Sequence, residues 1–232
     1  MTICFLSAME TEVAVFLNRC TVVSKERFGI AQLYTLDYNG AKFYACVSGV
    51  GKVLAGSGTM AAIMSHPDID AFINVGIGGS LDATKAPLMT AVLGSKFVQH
   101  DYDTSAFGDP YGYLWGPNRV FIEADLKLNE LLQGSCHDLG VTFTVAPIAS
   151  GDKFMVLDAD KKVVQERFGA LMIDMETAAF AELAYVNEKP FACLRIVPDA
   201  VDHDKEYLQY REVAAAKACE IALHLLDALP RG

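Results

Sequence analysis

Short apolar runs rich in β-branched and aromatic residues alternate along the chain with stretches whose apolar residues return at helical spacing. The runs predict strands at Thr2–Leu6, Gln32–Tyr38, Phe43–Val47, Ala71–Val75, Thr90–Val98, Thr142–Ile148, Leu171–Ile173 and Phe191–Val197. The helical spacing predicts helices over Met9–Asn18, Lys52–Met64, Ala124–Gln133, Asp158–Glu166, Glu176–Asn187 and Tyr207–Leu229. In the last, Val213, Ala216, Cys219, Leu223, Leu226 and Leu229 share one face, a core-packing pattern. Alternating strands and helices imply an α/β fold with a mainly parallel sheet and helices on both faces. No repeat, low-complexity stretch or linker interrupts the pattern. The longest loop-like segment, "HDYDTSAFGDPYGYLWGPN" at 100–118, carries aromatics that are costly to leave in water. It reads as a lid or a dimer contact.

Composition narrows the classes. The 232 residues suit one large α/β domain, and 52% hydrophobic with 21% charged residues excludes a disordered chain. A formal charge of −10, without a run of Lys or Arg, repels nucleic acid and anionic membranes and points to a small-molecule partner. The six cysteines form no CxxC pair and read as buried free thiols. The five histidines show no HxxxH or HExxH spacing, so no protein-bound metal is expected. "MTICFLSAMETEV" lacks a basic n-region and a long apolar run, and no segment reaches the roughly 18–20 apolar residues of a membrane span. The expected compartment is the cytoplasm.

Ligands of open α/β sheets bind beyond the carboxyl ends of the strands. Six predicted strand ends carry glycines or acids: Met9, Glu10 and Glu12; "SGVGK" at 48–52; "VGIGGS" at 75–80; "SGDKFM" at 150–155; Asp174, Met175 and Glu176; and Pro198 with Asp199. Helical geometry does not choose between Glu10 and Glu12, which flank the apolar face of Met9, Val13, Phe16 and Leu17. Neither glycine loop matches GxGxxG or GxxxxGK[ST], because Leu54 and Leu81 stand where the third glycine is needed. Both are read equally well as tight strand-to-helix turns. Asp174 suits the entry of the helix that follows, and Glu176 is favoured by its dipole. Arg195 stands inside a strand, where an unpaired guanidinium is very costly. It needs carboxylate partners, and a Glu12–Glu176–Arg195 cluster holding water meets that need.

Together, "SAMETEV", "VSGVGKV", "INVGIGGSL", "QHDYDTSAFG", "SGDKFM", "DMETAA" and "LRIVPDAVD" resemble, in order over nearly the whole chain, the nucleoside phosphorylase/hydrolase superfamily. Within it the sequence is most similar to 5′-methylthioadenosine/S-adenosylhomocysteine nucleosidases. The resemblance implies a single three-layer α/β/α domain over 1–232 with a central mixed sheet, a homodimer, and neither metal nor organic cofactor. It makes Glu12 the general base for water, Glu176 the ribose ligand and Asp199 the acid that protonates purine N7. Arg195 positions water and carboxylates, and Met175 packs under the sugar. Phe154 and Met155 hold the base, Phe107 borders the 5′-substituent with Met9 nearby, and Ile77 and Gly78 contribute from the glycine loop. Paired acid and base carboxylates suit cleavage of an N-glycosidic bond.

Some positions depart from the nucleosidase pattern. Pro198 replaces a serine, Ile77 a hydroxyl residue, and Thr104 and Asp109 stand where apolar residues line the 5′ pocket. A futalosine-type hydrolase is therefore the neighbouring reading. Phosphorolysis needs a cation beside the ribose, which neither glycine loop supplies. A non-catalytic nucleoside binder is the third reading, and a dinucleotide-binding oxidoreductase lacks its fingerprint.

Overall fold

The computed structural model describes residues 1–198 and 203–229. The apolar runs become β1 (Ile3–Ser7), β2 (Thr21–Phe28), β3 (Ala31–Tyr38), β4 (Ala41–Val47), β5 (Ala71–Ile77), β6 (Gly79–Ser80), β7 (Ala91–Gln99), β8 (Ile122–Glu123), β9 (Phe143–Ser150), β10 (Met172–Asp174) and β11 (Phe191–Ile196). The helices are α1 (Ala14–Arg19), α2 (Lys52–Ser65), α3 (Leu126–Asp138), α4 (Asp158–Phe168), α5 (Thr177–Val186) and α6 (His203–Ala228).

The strands form one mixed sheet in the order β2-β3-β4-β1-β5-β11-β7-β9-β10-β6, with β8 paired to β7. The central strands are covered on both faces, which is why they read as nearly continuous apolar runs. Ile3 and Phe5 of β1, with Ile73 and Val75 of β5, face the cluster that holds α1, α3 and α6. Cys4, Leu6 and Phe72 face the cluster that holds α2 and α5.

Only Gly78 separates β5 from β6, yet β6 lies at the far end of the strand order, antiparallel to β10. The sheet from β5 round to β10 therefore closes on itself. Closure matters because β7, β9 and β10 run against β11 and β5. In a flat sheet their carboxyl ends would lie at the opposite edge from those of β1, β5 and β11. Pairing of Ile173 with Gly79 turns the end of β10 back towards Ile77, and the ends meet.

Two expectations are corrected. β2 is absent from the apolar pattern because it is an outer strand with almost every residue exposed, including Lys25 and Arg27, so nothing imposes alternation. The helix expected over Met9–Asn18 is a 3-10 turn, Glu10–Val13, followed by the short α1. The cause is the Glu12 side chain, which folds back to accept hydrogen bonds from the Ala8 and Met9 N–H groups.

Candidate active site

The strand ends converge on a cavity of ≈ 150 Å³. Met9, Glu12, Ile77, Gly78, Phe154, Met155, Met175, Glu176 and Arg195 all line it. Its floor is a buried ionic cluster built around Arg195, which is 1% exposed. From the middle of the strand wall its guanidinium reaches Asp174 through Nε at 3.1 Å, Glu12 through Nη1 at 3.3 Å and Glu176 through Nη2 at 3.6 Å. Nη1 also donates to the Ile77 carbonyl at 2.7 Å. The predicted need for carboxylate partners is met three times over.

The 3-10 turn settles which glutamate enters the site: Glu12 is buried and Glu10 is exposed. Glu12 Oε2 accepts from the Ala8 and Met9 N–H groups, each at 3.0 Å, and Oε1 from the Ile77 N–H at 3.1 Å. This carboxylate packs onto bare backbone. A Cβ on Gly76 would lie 2.1 Å from Glu12 Oε1, so only glycine fits there. The glycine of "VGIG" thus makes room for an acid, and no phosphate is needed to explain it.

Glu176 is held differently. Its Oε1 accepts from the Gly51 N–H at 2.8 Å, and Gly51 can present that N–H because its φ of 96° lies in the left-handed region. Burial pushes the Glu176 carboxyl up to about 7, against the opposing pull of Arg195. Its neighbour Asp174 ends β10, and its side chain serves the entry of α5, as expected: Oδ1 accepts from the Glu176 and Thr177 N–H groups, each at 3.2 Å. It also accepts from the Ser150 and Thr177 hydroxyls and is the carboxylate nearest Arg195. Sequence reasoning gave Asp174 only the helix entry and missed this pairing, for which no local signal exists.

One assignment is corrected. Phe107 does not border this chain's cavity; it ends the 3-10 turn Ser105–Phe107, is 77% exposed and packs against Trp115. The Asp103 carboxylate takes the Ser105 N–H, and left-handed Gly108 ends the turn. Asp109 is likewise outside the cavity, its carboxylate accepting from Trp115 Nε1 at 2.7 Å. Asp199 falls outside the described residues. Lys153, Lys161 and Val50 line the cavity without having been singled out from the sequence. Among the described residues no group of three His, Cys, Asp or Glu has a metal-holding arrangement.

A family model described as the phosphorylase superfamily matches residues 2–228. A 5′-methylthioadenosine/S-adenosylhomocysteine nucleosidase of Hydrogenovibrio crunogenus is 30% identical over 233 residues, covering 99% of this chain and 99% of that protein. The Neisseria meningitidis nucleosidase of the same name, solved in complex with methylthio-immucillin-A, matches with a TM-score of 0.92 at 26% identity, covering 98% and 99% of the two chains. The futalosine hydrolase of Helicobacter pylori matches with a TM-score of 0.92 at 24% identity over 99% and 98% of the chains, a likeness of fold alone.

Proposed function

The chain belongs to the phosphorylase superfamily, and from that premise we propose that it is a nucleosidase. It hydrolyses the N-glycosidic bond of a 5′-substituted purine nucleoside, 5′-methylthioadenosine or S-adenosylhomocysteine, to free base and 5′-substituted ribose. The observation that carries this reading is the buried floor, where three carboxylates surround one guanidinium.

Departure of the base leaves positive charge on the sugar, and fixed carboxylates stabilise it as it develops. Glu12 takes the proton of the attacking water. Its contact to Arg195 is its longest, so Oε1 is the side at which water can enter. Glu176 accepts from the ribose hydroxyl, Met175 packs under the sugar, and Phe154 and Met155 hold the purine. Asp199 protonates N7. Arg195 orients Glu12 and Glu176.

The same floor opposes phosphorolysis. A phosphate dianion would meet three carboxylates, and the single guanidinium is already shared among them. The polar side chain that argued for a futalosine-like 5′ extension, Asp109, is occupied by Trp115 away from the cavity. That supports the apolar methylthio reading.

We also read the protein as a cytoplasmic homodimer. Six unpaired cysteines suit a reducing compartment, and Phe107 and Trp115 form an exposed aromatic pair that a partner copy would cover. Among the described residues no helix is long and apolar enough to cross a membrane.

The test is product analysis on 5′-methylthioadenosine, S-adenosylhomocysteine, adenosine, inosine and futalosine, with and without phosphate. Free purine plus free sugar at a phosphate-independent rate is the expected result. A sugar 1-phosphate would reassign the reaction as phosphorolysis, and binding without turnover would make the protein a nucleoside binder.

A further inference from the structure

Gly51, in the "SGVGK" loop before α2, gives Glu176 its backbone hydrogen bond, N–H to Oε1 at 2.8 Å. Gly49 and Gly51 both lie in the left-handed region, with φ of 95° and 96°. Glycines are so permissive that the direction of such an N–H is loosely set unless its neighbours fix it. Upstream, the Ser48 and Gly49 N–H groups donate to the Ser7 and Ala8 carbonyls at 2.9 and 3.0 Å. Downstream, three hydrogen bonds close a ring. The Lys52 N–H donates to Asp152 Oδ1 at 2.8 Å, the Asp152 N–H to Asp101 Oδ2 at 2.8 Å, and Lys52 Nζ to Asp101 Oδ1 at 2.5 Å. Lys52 is thus gripped at its backbone and at its ammonium, by residues that follow β9 and β7. Its ammonium also donates to Gln99 Oε1 at 3.0 Å. A Cβ on Gly51 would lie 3.1 Å from Asp152 Oδ1, so the ring sits directly against the peptide that meets Glu176.

We propose that Asp152 and Asp101 are positioning residues for the ribose carboxylate: their ring with Lys52 aims the Gly51 N–H at Glu176. The inference rests on the nucleosidase reading, in which Glu176 binds the ribose. Neither aspartate lines the cavity, so both act through Gly51. Glu176 is faced by Arg195 from β11, Asp174 from β10 and Glu12 from the 3-10 turn, besides Gly51 from the loop before α2. Arg195 and the Gly51 N–H favour its ionised form, whereas burial and the two acids oppose it. Arg195 is shared among three carboxylates, but the Gly51 N–H is directed at Glu176 alone. A donor fixed before the substrate arrives needs no reorganisation during the reaction. With the ring opened, the Gly51 N–H is free to turn away. Glu176 then keeps its proton to a higher pH and is a poorer acceptor for the ribose hydroxyl.

The experiment is the pH dependence of kcat/KM on 5′-methylthioadenosine for the wild type, Asp152→Ala, Asp101→Ala and Asp152→Asn, with thermal melts of each. The alanine variants open the ring at different corners, whereas asparagine keeps an acceptor for the Lys52 N–H. Both aspartates are exposed, so folded variants are expected. Each alanine variant should move the acidic limb of the profile upward by about half to one pH unit. Its loss against the wild type is then about three- to tenfold below the limb and disappears on the alkaline side. Asp152→Asn should keep the wild-type limb. An unmoved limb in either alanine variant would overturn the proposal. So would a loss equal at every pH, or an asparagine variant as impaired as alanine, since each marks a ring that only holds the loop together. A wild-type protein that leaves the nucleoside uncleaved would overturn the nucleosidase reading itself, and this proposal with it.

Discussion

The two site glutamates differ in their surroundings more than in their sequence context. Glu12 is met by three backbone N–H groups and Arg195, whereas Glu176 has one backbone N–H and a longer contact to the same guanidinium. Burial consequently dominates at Glu176 and raises its carboxyl from 4.5 to about 7. A carboxyl that holds its proton longer in the folded state gives stability that is full below about 4.5 and is lost as pH rises through about 7. Urea denaturation of the wild type at pH 5 and pH 8 should therefore show a larger loss than the same pair of measurements on Glu176→Gln. Parallel pH dependences in the two proteins would remove Glu176 as the source. The ionised form is also the better acceptor for a ribose hydroxyl, so wild-type kcat/KM should climb through the same region.

At the scale of elements, the short β10 and the start of α5 hold the site together. Asp174 receives the N–H groups that open α5, the hydroxyls of Ser150 on β9 and Thr177 on α5, and the Arg195 guanidinium on β11. One side chain thus ties two strands and a helix. Asp174→Ala strands a buried cation and the donors at the helix start, and its expected cost is about 3–5 kcal/mol in urea denaturation. Asp174→Asn, which retains an acceptor without the charge, should cost less. Equal stability of Asp174→Ala and wild type would show that Glu12 and Glu176 alone neutralise Arg195. The 3-10 turn after β1 teaches a related lesson. Its residues carry an ordinary amphipathic helix pattern, but the buried N–H of Ala8 and the half-buried N–H of Met9 need an acceptor, and Glu12 supplies it by tightening the turn.

For the whole molecule, the closed half of the sheet and the exposed aromatic loop have different consequences. Closure brings antiparallel-running strands to a common site within one chain. The Phe107–Trp115 pair is left on the outside, where its exposure favours association. Light scattering on the purified chain should give a mass near twice 25.2 kDa, and Phe107→Ser combined with Trp115→Ser should shift it towards the monomer. A wild-type mass of one chain would refute the dimer.

The sequence by itself determined most of the strands and helices in their order, the two-sided burial of the central strands and the need of Arg195 for carboxylate partners. These are local or nearly local properties: apolar periodicity reports which faces are covered, and an arginine inside a strand demands an acid. Tertiary structure alone decided that β5 runs through Gly78 into the far edge of the sheet, that Glu12 rather than Glu10 turns inward, and that Asp174 joins Arg195. It also decided that Lys161 lines the cavity while Phe107 does not. In sequence Lys161 looks like any lysine on a charged helix, and β2 like an exposed polar segment. Their positions follow from contacts between residues far apart along the chain, which no local pattern encodes.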